Sequence, residues 1–252
     1  MDNKSDSIRI NRYLAQCGLG ARRKCDELVE GGHIYLNGQK VTELGTKVNP
    51  AVDKVEYKGK QLRPIRKLEY YAYCKPREVM VTNSDPEGRL TIYEALRRDG
   101  LDAGLLKYVG RLDYLSEGLL LLTNDGDLIH ALTHPRFRIK KIYMVRTSRP
   151  LDKGDISKLL AGVESEGQLL HAASVDAVDV KPDQYWYEIA LFEGKNRQIR
   201  RMLEGIGHEV RRLRRTAFGS VRLGGMTAGE YRELTPRELS GLKNAGFKNS
   251  LN

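Results

Sequence analysis

Cysteine is scarce in this chain: Cys17, Cys25 and Cys74 are the only three in 252 residues, and no two of them form a C-x-x-C pair. That excludes a disulfide framework and a thiol-rich metal motif, so all three are expected to be reduced and semi-buried. Long apolar runs are missing too. No stretch of eighteen apolar residues occurs, so no membrane-spanning helix is expected. The opening MDNKSDSIRI lacks the apolar stretch of a signal peptide. The expected compartment is the cytoplasm. The phosphate-binding signatures G-x-x-x-x-G-K-[ST] and G-x-G-x-x-G are absent, and no serine sits in a nucleophile elbow. The five histidines lack metal-ligand spacing; His130 and His134 stand four apart without an acidic or thiol third ligand nearby. Neither a metal nor a cofactor is expected. An enzyme with this inventory must work with carboxylate, tyrosine and arginine.

What is present is ordinary globular composition, 40% hydrophobic and 30% charged, with an excess of 43 Lys+Arg over 33 Asp+Glu. The excess is concentrated. Between Glu193 and Arg215 eight basic residues (Lys195, Arg197, Arg200, Arg201, Arg211, Arg212, Arg214, Arg215) face three acidic ones. A solvated basic face would account for this. A phosphate-facing surface accounts for it better, because the stretch also reads as folded.

From Ile8 to about Gln61 the chain reads as a small module. RINRYLAQCGLGARRKCDELVEGG gives two short helices, with Leu14, Cys25, Leu28 and Val29 on apolar faces and Gly31-Gly32 as the stop. HIYLNGQKV then places Asn37-Gly38 between two strand-like runs, a strong hairpin signal. Arg22, Arg23 and Lys24 open the second helix, where the helix dipole disfavours cations; a phosphate partner would supply the reason. Arg9 and Arg12 extend that basic surface. This pattern resembles the S4 RNA-binding module. A polar stretch broken by Pro64 reads as a linker over 62–68.

The remainder, 69–252, reads as a mixed α/β region. Strands are expected at Tyr70–Cys74, Val79–Thr82, Gly118–Thr123, Lys141–Thr147, Trp186–Phe192 and Glu209–Arg215. Helices are expected at Ile92–Arg98, Asp127–Thr133, Asp155–Gly162, Asn196–Gly205 and Pro236–Lys243. The last opens on TPRE, a capping box with proline at the first helical position.

Within that region Asp113 is out of place. It leaves a short strand at GRLD, five residues ahead of the apolar run Leu119–Leu122, which reads as a strand buried on both faces. A charge there is costly unless paired. In KKIYMV, strand alternation puts Tyr143 on one face with Lys141. In EGKNRQIRRML, Arg197 and Arg201 share a helix face and Arg200 lies close to it.

Together GRLDYLSEGLLLLTNDGDL, KIYMV, EGKNRQIRRM and GEYRELTPREL are similar to the S4-containing RNA pseudouridine synthases of the small-subunit and large-subunit ribosomal type, over essentially the whole chain. The resemblance implies an α+β protein: a small N-terminal S4 domain (1–61) and a larger catalytic domain (69–252) on a mixed, mostly antiparallel sheet. It implies that Asp113 is the catalytic aspartate, attacking the target uridine at ribose C1′ or base C6. Tyr143 would stack on the flipped base and take part in proton transfer, and Arg200 would pair with the aspartate and keep it ionised. Arg9, Arg12, Arg22, Arg23, Lys24, Arg111, Lys195, Asn196, Arg197, Gln198 and Arg201 would contact RNA. The implied reaction oxidises nothing and carries no group away, so it calls for no cofactor or metal. The implied partner is ribosomal RNA, 23S in preference to 16S, or an assembly intermediate, acted on by a monomer away from any membrane. The rival is a non-catalytic RNA-binding or ribosome-assembly factor that keeps the fold for docking. One departure stands out: the first family motif is K-P-x-G, and CKPREVMVT has Glu78 at the glycine position, which puts the local turn in question.

Overall fold

The turn at Asn37-Gly38 forms with φ of +52° and +81°, the left-handed pair that a two-residue hairpin requires. The computed structural model that carries it describes residues 7–65 and 67–247; the extremes of the two expected domains, 1–6 and 248–252, lie outside the described residues. The chain divides into two compact units, Met1–Leu68 and Glu69–Asn252. In the first, β1 (Ile8–Arg9) leads into α1 (Ile10–Gln16) and α2 (Arg22–Glu30). Strands β2 (Ile34–Leu36), β3 (Gln39–Val41), β4 (Lys47–Val48), β5 (Val55–Tyr57) and β6 (Lys60–Gln61) follow. Leu14, Cys25, Val29 and Ile34 are buried in one core with Val48 and Val55. The stretch read as a linker is tied to this unit: the Leu62 amide donates to Val55 at 2.8 Å and that of Ile65 to Gln16 at 2.9 Å.

The second unit runs β7 (Tyr70–Lys75), α3 (Ile92–Arg98), β8 (Lys107–Val109), β9 (Glu117–Thr123), α4 (Gly126–Thr133), β10 (Lys141–Thr147), α5 (Lys153–Ala161), β11 (Val163–Ser165) and β12 (Gln168–Leu170). It continues through β13 (Ser174–Lys181), β14 (Gln184–Leu191), α6 (Gln198–Gly205), β15 (Val210–Phe218), β16 (Val221–Arg222), β17 (Tyr231–Glu233) and α7 (Pro236–Phe247). One mixed sheet has the order β13-β14-β10-β15-β9-β7-β17, with β16 on β15 and β8 on β9. Apolar clusters cover both its faces, which is why Leu119–Leu122 is a continuous apolar run.

The pairing of β15 with β9 is parallel and lasts two residues, Arg214 opposite Glu117 and Arg215 opposite Gly118. The other pairings along the sheet are antiparallel. This short seam joins two antiparallel halves, and the loop before β9 emerges beside it.

Two expectations are corrected. Val79–Thr82 is not a strand: it makes a single bridge, Met80 to Thr91. Val79 and Val81 are buried there, so the apolar pattern reports burial without a partner strand. Asp113 leaves no strand either, since β8 stops at Val109 and Gly110 turns the chain with φ +68°.

Candidate active site

The loop carrying Asp113 is held at several points. The buried Leu112 anchors it. The Asp113 carbonyl accepts the Ser116 amide at 3.0 Å, closing a turn. The Ser116 carbonyl in turn accepts Lys75 Nζ at 2.8 Å, and the same Nζ donates to the Pro76 carbonyl at 2.8 Å. The Glu78 amide donates to the Tyr114 carbonyl at 2.7 Å. Residues 75–78 therefore clamp the loop from below. Glu78 meets the demand of this turn in the left-handed region, φ +60°, a conformation glycine adopts without steric cost.

Lys75 is fully buried, at 0% exposure, and sequence reasoning passed over it. Burial pushes its ammonium down to about 8, against the pull of Asp113 first and Glu117 second. The signal was available: a lysine ends the strand YYAYCK, whose preceding residues Ala72, Tyr73 and Cys74 are all interior.

Arg200, expected as the direct partner of Asp113, sits differently. It is 6% exposed, with Nη1 donating to the Val210 carbonyl at 3.2 Å and Nη2 to the Leu115 carbonyl at 3.4 Å. Burial lowers its pKa most, Arg197 lowers it further and Asp113 raises it. Among the described residues no ion pair joins Arg200 to Asp113. The carboxylate is thus felt by two buried cations, each of which spends its hydrogen bonds on backbone carbonyls around the loop.

Tyr143 is 7% exposed on β10, with Ile189 of β14 on one side and Arg215 of β15 on the other. It shares a cavity of about 70 Å³ with Asp113, Arg111, Ser116, Lys195 and Arg197. The far wall is a rigid turn. Gln198 is interior, donating to Glu193 Oε1 at 2.8 Å and to the His171 carbonyl at 3.3 Å while accepting the Lys195 amide at 3.1 Å. Arg197 enters α6 from the left-handed region, φ +46°. The structure brings Asp113 and Tyr143 to one cavity, which Arg200 does not line.

The expected RNA contacts divide. Arg9, Arg22, Arg23, Lys24, Arg111, Lys195, Asn196 and Arg197 are exposed, and Arg12 is half-buried. Arg22 and Arg23 open α2, which has no side-chain cap and no acidic residue in its first turn, so their cost at that dipole end stays uncompensated by the helix itself. Gln198 and Arg201 are buried. The Arg201 guanidinium is engaged with Ser165 Oγ at 3.2 Å, the Ser165 carbonyl at 2.5 Å and Glu166 at 3.3 Å. Its i, i+4 relation to Arg197 therefore produces no common basic face: Arg201 fastens α6 to the β11–β12 hairpin.

Comparison with known proteins bears on the family and the fold. Residues 69–205 match the family model described as RNA pseudouridylate synthase, and residues 8–53 match that of the S4 domain. An uncharacterized RNA pseudouridine synthase of Aquifex aeolicus (strain VF5) is 37% identical over 243 residues, 96% of this chain and 96% of that protein. The ribosomal large subunit pseudouridine synthase B of Bacillus subtilis (strain 168) is 36% identical over 237 residues, covering 93% and 95%. A crystal structure of a pseudouridylate synthase superposes with a TM-score of 0.66 at 27% identity, over 93% of this chain and 99% of that one.

Proposed function

The chain belongs to the RNA pseudouridylate synthase family, and from that premise we propose that it isomerises one uridine of ribosomal RNA, in the large subunit, with Asp113 as the nucleophile. The observation that carries the reading is that Asp113 and Tyr143, distant in sequence, line one cavity. The reaction breaks the N-glycosidic bond, turns the base, and joins C5 to the same ribose carbon; C5 loses its proton, N1 takes one up, and the bond to Asp113 formed on the way is broken again. Asp113 adds to ribose C1′ or to base C6; either route needs an ionised carboxylate on a fixed loop. Lys75 and the buried Arg200 supply opposite charge, and the Ser116–Lys75 link supplies the rigidity. Tyr143 offers an aromatic face to a base taken out of its stack, a displacement that costs a few kcal/mol. Exposed cations of both units contact phosphate and orient the strand without reading its sequence. The protein acts as a monomer in the cytoplasm, on ribosomal RNA or an assembly intermediate. Family membership and the buried cations around the Asp113 loop favour this reading over a docking factor without catalysis.

The test is pseudouridine mapping of ribosomal RNA in cells lacking the gene, complemented by wild type or by Asp113→Asn. A site that vanishes on deletion and returns only with wild type supports the reading and names the substrate. An unchanged pattern throughout overturns it for ribosomal RNA.

A further inference from the structure

A second cavity, of about 270 Å³, adjoins the one holding Asp113; the two share Arg111, Tyr143, Gly194 and Lys195. Its lining is cationic. Arg111, Lys141, Lys195 and Arg215 face it, against the single carboxylate of Glu193. That carboxylate is already engaged, accepting Gln198 Nε2 at 2.8 Å and pairing with Lys195 at 3.4 Å. Among the described residues neither Lys141 nor Arg215 forms an ion pair, and Glu193 acts on Lys141 only at longer range.

Arg215 is the costlier of the two. It is 2% exposed; Nε donates to the Leu119 carbonyl at 2.7 Å, but Nη2 is buried without a hydrogen-bond partner. Lys141 Nζ donates to the Ile139 carbonyl at 3.0 Å, which leaves N–H donors over. Both cations lie 5.2 Å from the centre of the Phe218 ring, so like charges meet at one aromatic side chain. Burial and the neighbouring Arg215 push Lys141 down to about 8, with Glu193 pulling weakly the other way. A buried donor left unsatisfied, as Arg215 Nη2 is, costs about 1–3 kcal/mol, and a second cation beside it adds repulsion that a ligand with several acceptor oxygens relieves.

We infer that this cavity holds a phosphate group, carried by the RNA strand next to the uridine in the Asp113 cavity, with Lys141 and Arg215 as its ligands. The identification of the neighbour as a target uridine rests on the proposed function; the anion site does not. Two features favour a strand over a free anion. The cavity is continuous with that of Asp113, and its rim carries Phe192, 37% exposed for a large apolar side chain, beneath Arg138 at 5.1 Å. Lys141 was not among the RNA contacts expected from sequence, and Arg215 entered only as one of the basic residues between Glu193 and Arg215.

The test uses the full-length protein and a fluorescein-labelled hexameric oligouridylate, with affinity measured across a KCl series. Each phosphate contact contributes about 0.7 to the slope of log K against log salt for a single strand. Lys141→Met is expected to lower the slope by about that amount and Lys141→Arg to keep it. Equal slopes for wild type and Lys141→Met overturn the strand reading. In a second arm, inorganic phosphate is added during thermal melting. If it raises the Tm of wild type but not of Lys141→Met while the slopes agree, the ligand is a free anion and the strand reading falls. If phosphate has no effect and the slopes agree, the anion site itself falls. Should Lys141→Met fail to melt cooperatively, wild type and Lys141→Arg are compared between pH 7 and 9. The groups around Lys141 are Arg215, Arg111, Lys195, Glu193 and His134; a wild-type slope that falls where that of Lys141→Arg does not supports the inference, and equal slopes at pH 9 overturn it. A slope change in a protein that leaves no pseudouridine in ribosomal RNA would sink the catalytic reading and leave the anion site standing.

Discussion

Arg215 Nε on β15 reaches the carbonyl oxygen of Leu119 on β9 at 2.7 Å, one residue beyond the point where the two strands stop pairing. A side chain thus continues a ladder that the backbones abandon. The seam is close because Gly118 has no Cβ: one built there would collide with the Arg215 carbonyl oxygen and come within 3.0 Å of its backbone nitrogen.

Gly118→Ala is therefore expected to part the seam. The φ of +99° adds strain to the collision, and a loss of about 2 kcal/mol or more is expected, read by urea denaturation. Because the Asp113 loop leads directly into this residue, activity should fall further than stability alone requires; an alanine variant with wild-type stability would show that the seam can open freely.

Asp113→Asn keeps shape and removes charge. Pseudouridine formation should drop by a factor on the order of 10³ or more, with oligouridylate affinity and Tm close to wild type. Tyr143→Phe should retain most binding, whereas Tyr143→Ala should lose the 1–3 kcal/mol typical of a base stacked on an aromatic ring. Equal affinities for the two tyrosine variants would argue that no base rests on this ring.

Lys75 and Lys141 are both held near 8, below the ordinary lysine value of 10.5. Above pH 8 the unfolded chain binds more protons at these two positions than the folded one, so stability rises with pH. Tyr73, pushed well above its usual 10 by burial and by Asp99, acts in the opposite sense once free tyrosine ionises. The thiols of Cys17 and Cys74, raised by burial, oppose the lysines in the same way from about pH 9, so wild type should gain stability between about pH 8 and 9, and Lys75→Met should lose part of that gain. The same variant strips the donor from two carbonyls and should cost about 1–3 kcal/mol at pH 7. A flat pH profile in wild type would mean that neither lysine is desolvated in solution.

Glu78→Gly should stabilise. A left-handed conformation costs a non-glycine residue roughly 1–2 kcal/mol, and glycine returns part of that through its greater freedom when unfolded. A net gain of about 0.5–1 kcal/mol is expected from thermal melts; a loss would mean that the Glu78 side chain does more for the turn than its backbone costs.

The turn at Glu78 also illustrates what was legible. Sequence reading located the odd residue but not its outcome, because a single αL position is held by tertiary hydrogen bonds that no local pattern reports. Likewise β9, which follows the Asp113 loop, and β10, which bears Tyr143, were readable from apolar runs and alternation. The ionic surroundings were not. Lys75 and Arg200 are defined by which carbonyls they reach across the fold, and the family resemblance pointed to Arg200 alone. Arg201 was read from helix spacing as an RNA contact and is instead a fastener. Helical periodicity gives the face a residue occupies, not what the chain later packs against it. The strand β13 was missed because its alternation slips at Ala177-Val178, where the register shifts, and because Asp176 and Asp179 have a low strand preference that an edge position tolerates.

The two-residue seam has a consequence for how the protein is made. Gly118 and Arg215 lie about a hundred residues apart in sequence and pair over two residues, whereas β13 and β14 are consecutive strands paired along nearly their whole length. Closing a long loop for so few backbone bonds is entropically unrewarding until both halves exist. The halves should mature separately and dock late, so that a newly synthesised chain acquires most of its secondary structure before it acquires a site. Pulsed hydrogen exchange during refolding should find β14 protected before the 117–119 amides, and simultaneous protection would sink this order. Assembly of the Asp113 loop would then be the final act of folding, and chaperone dependence should concentrate on that step.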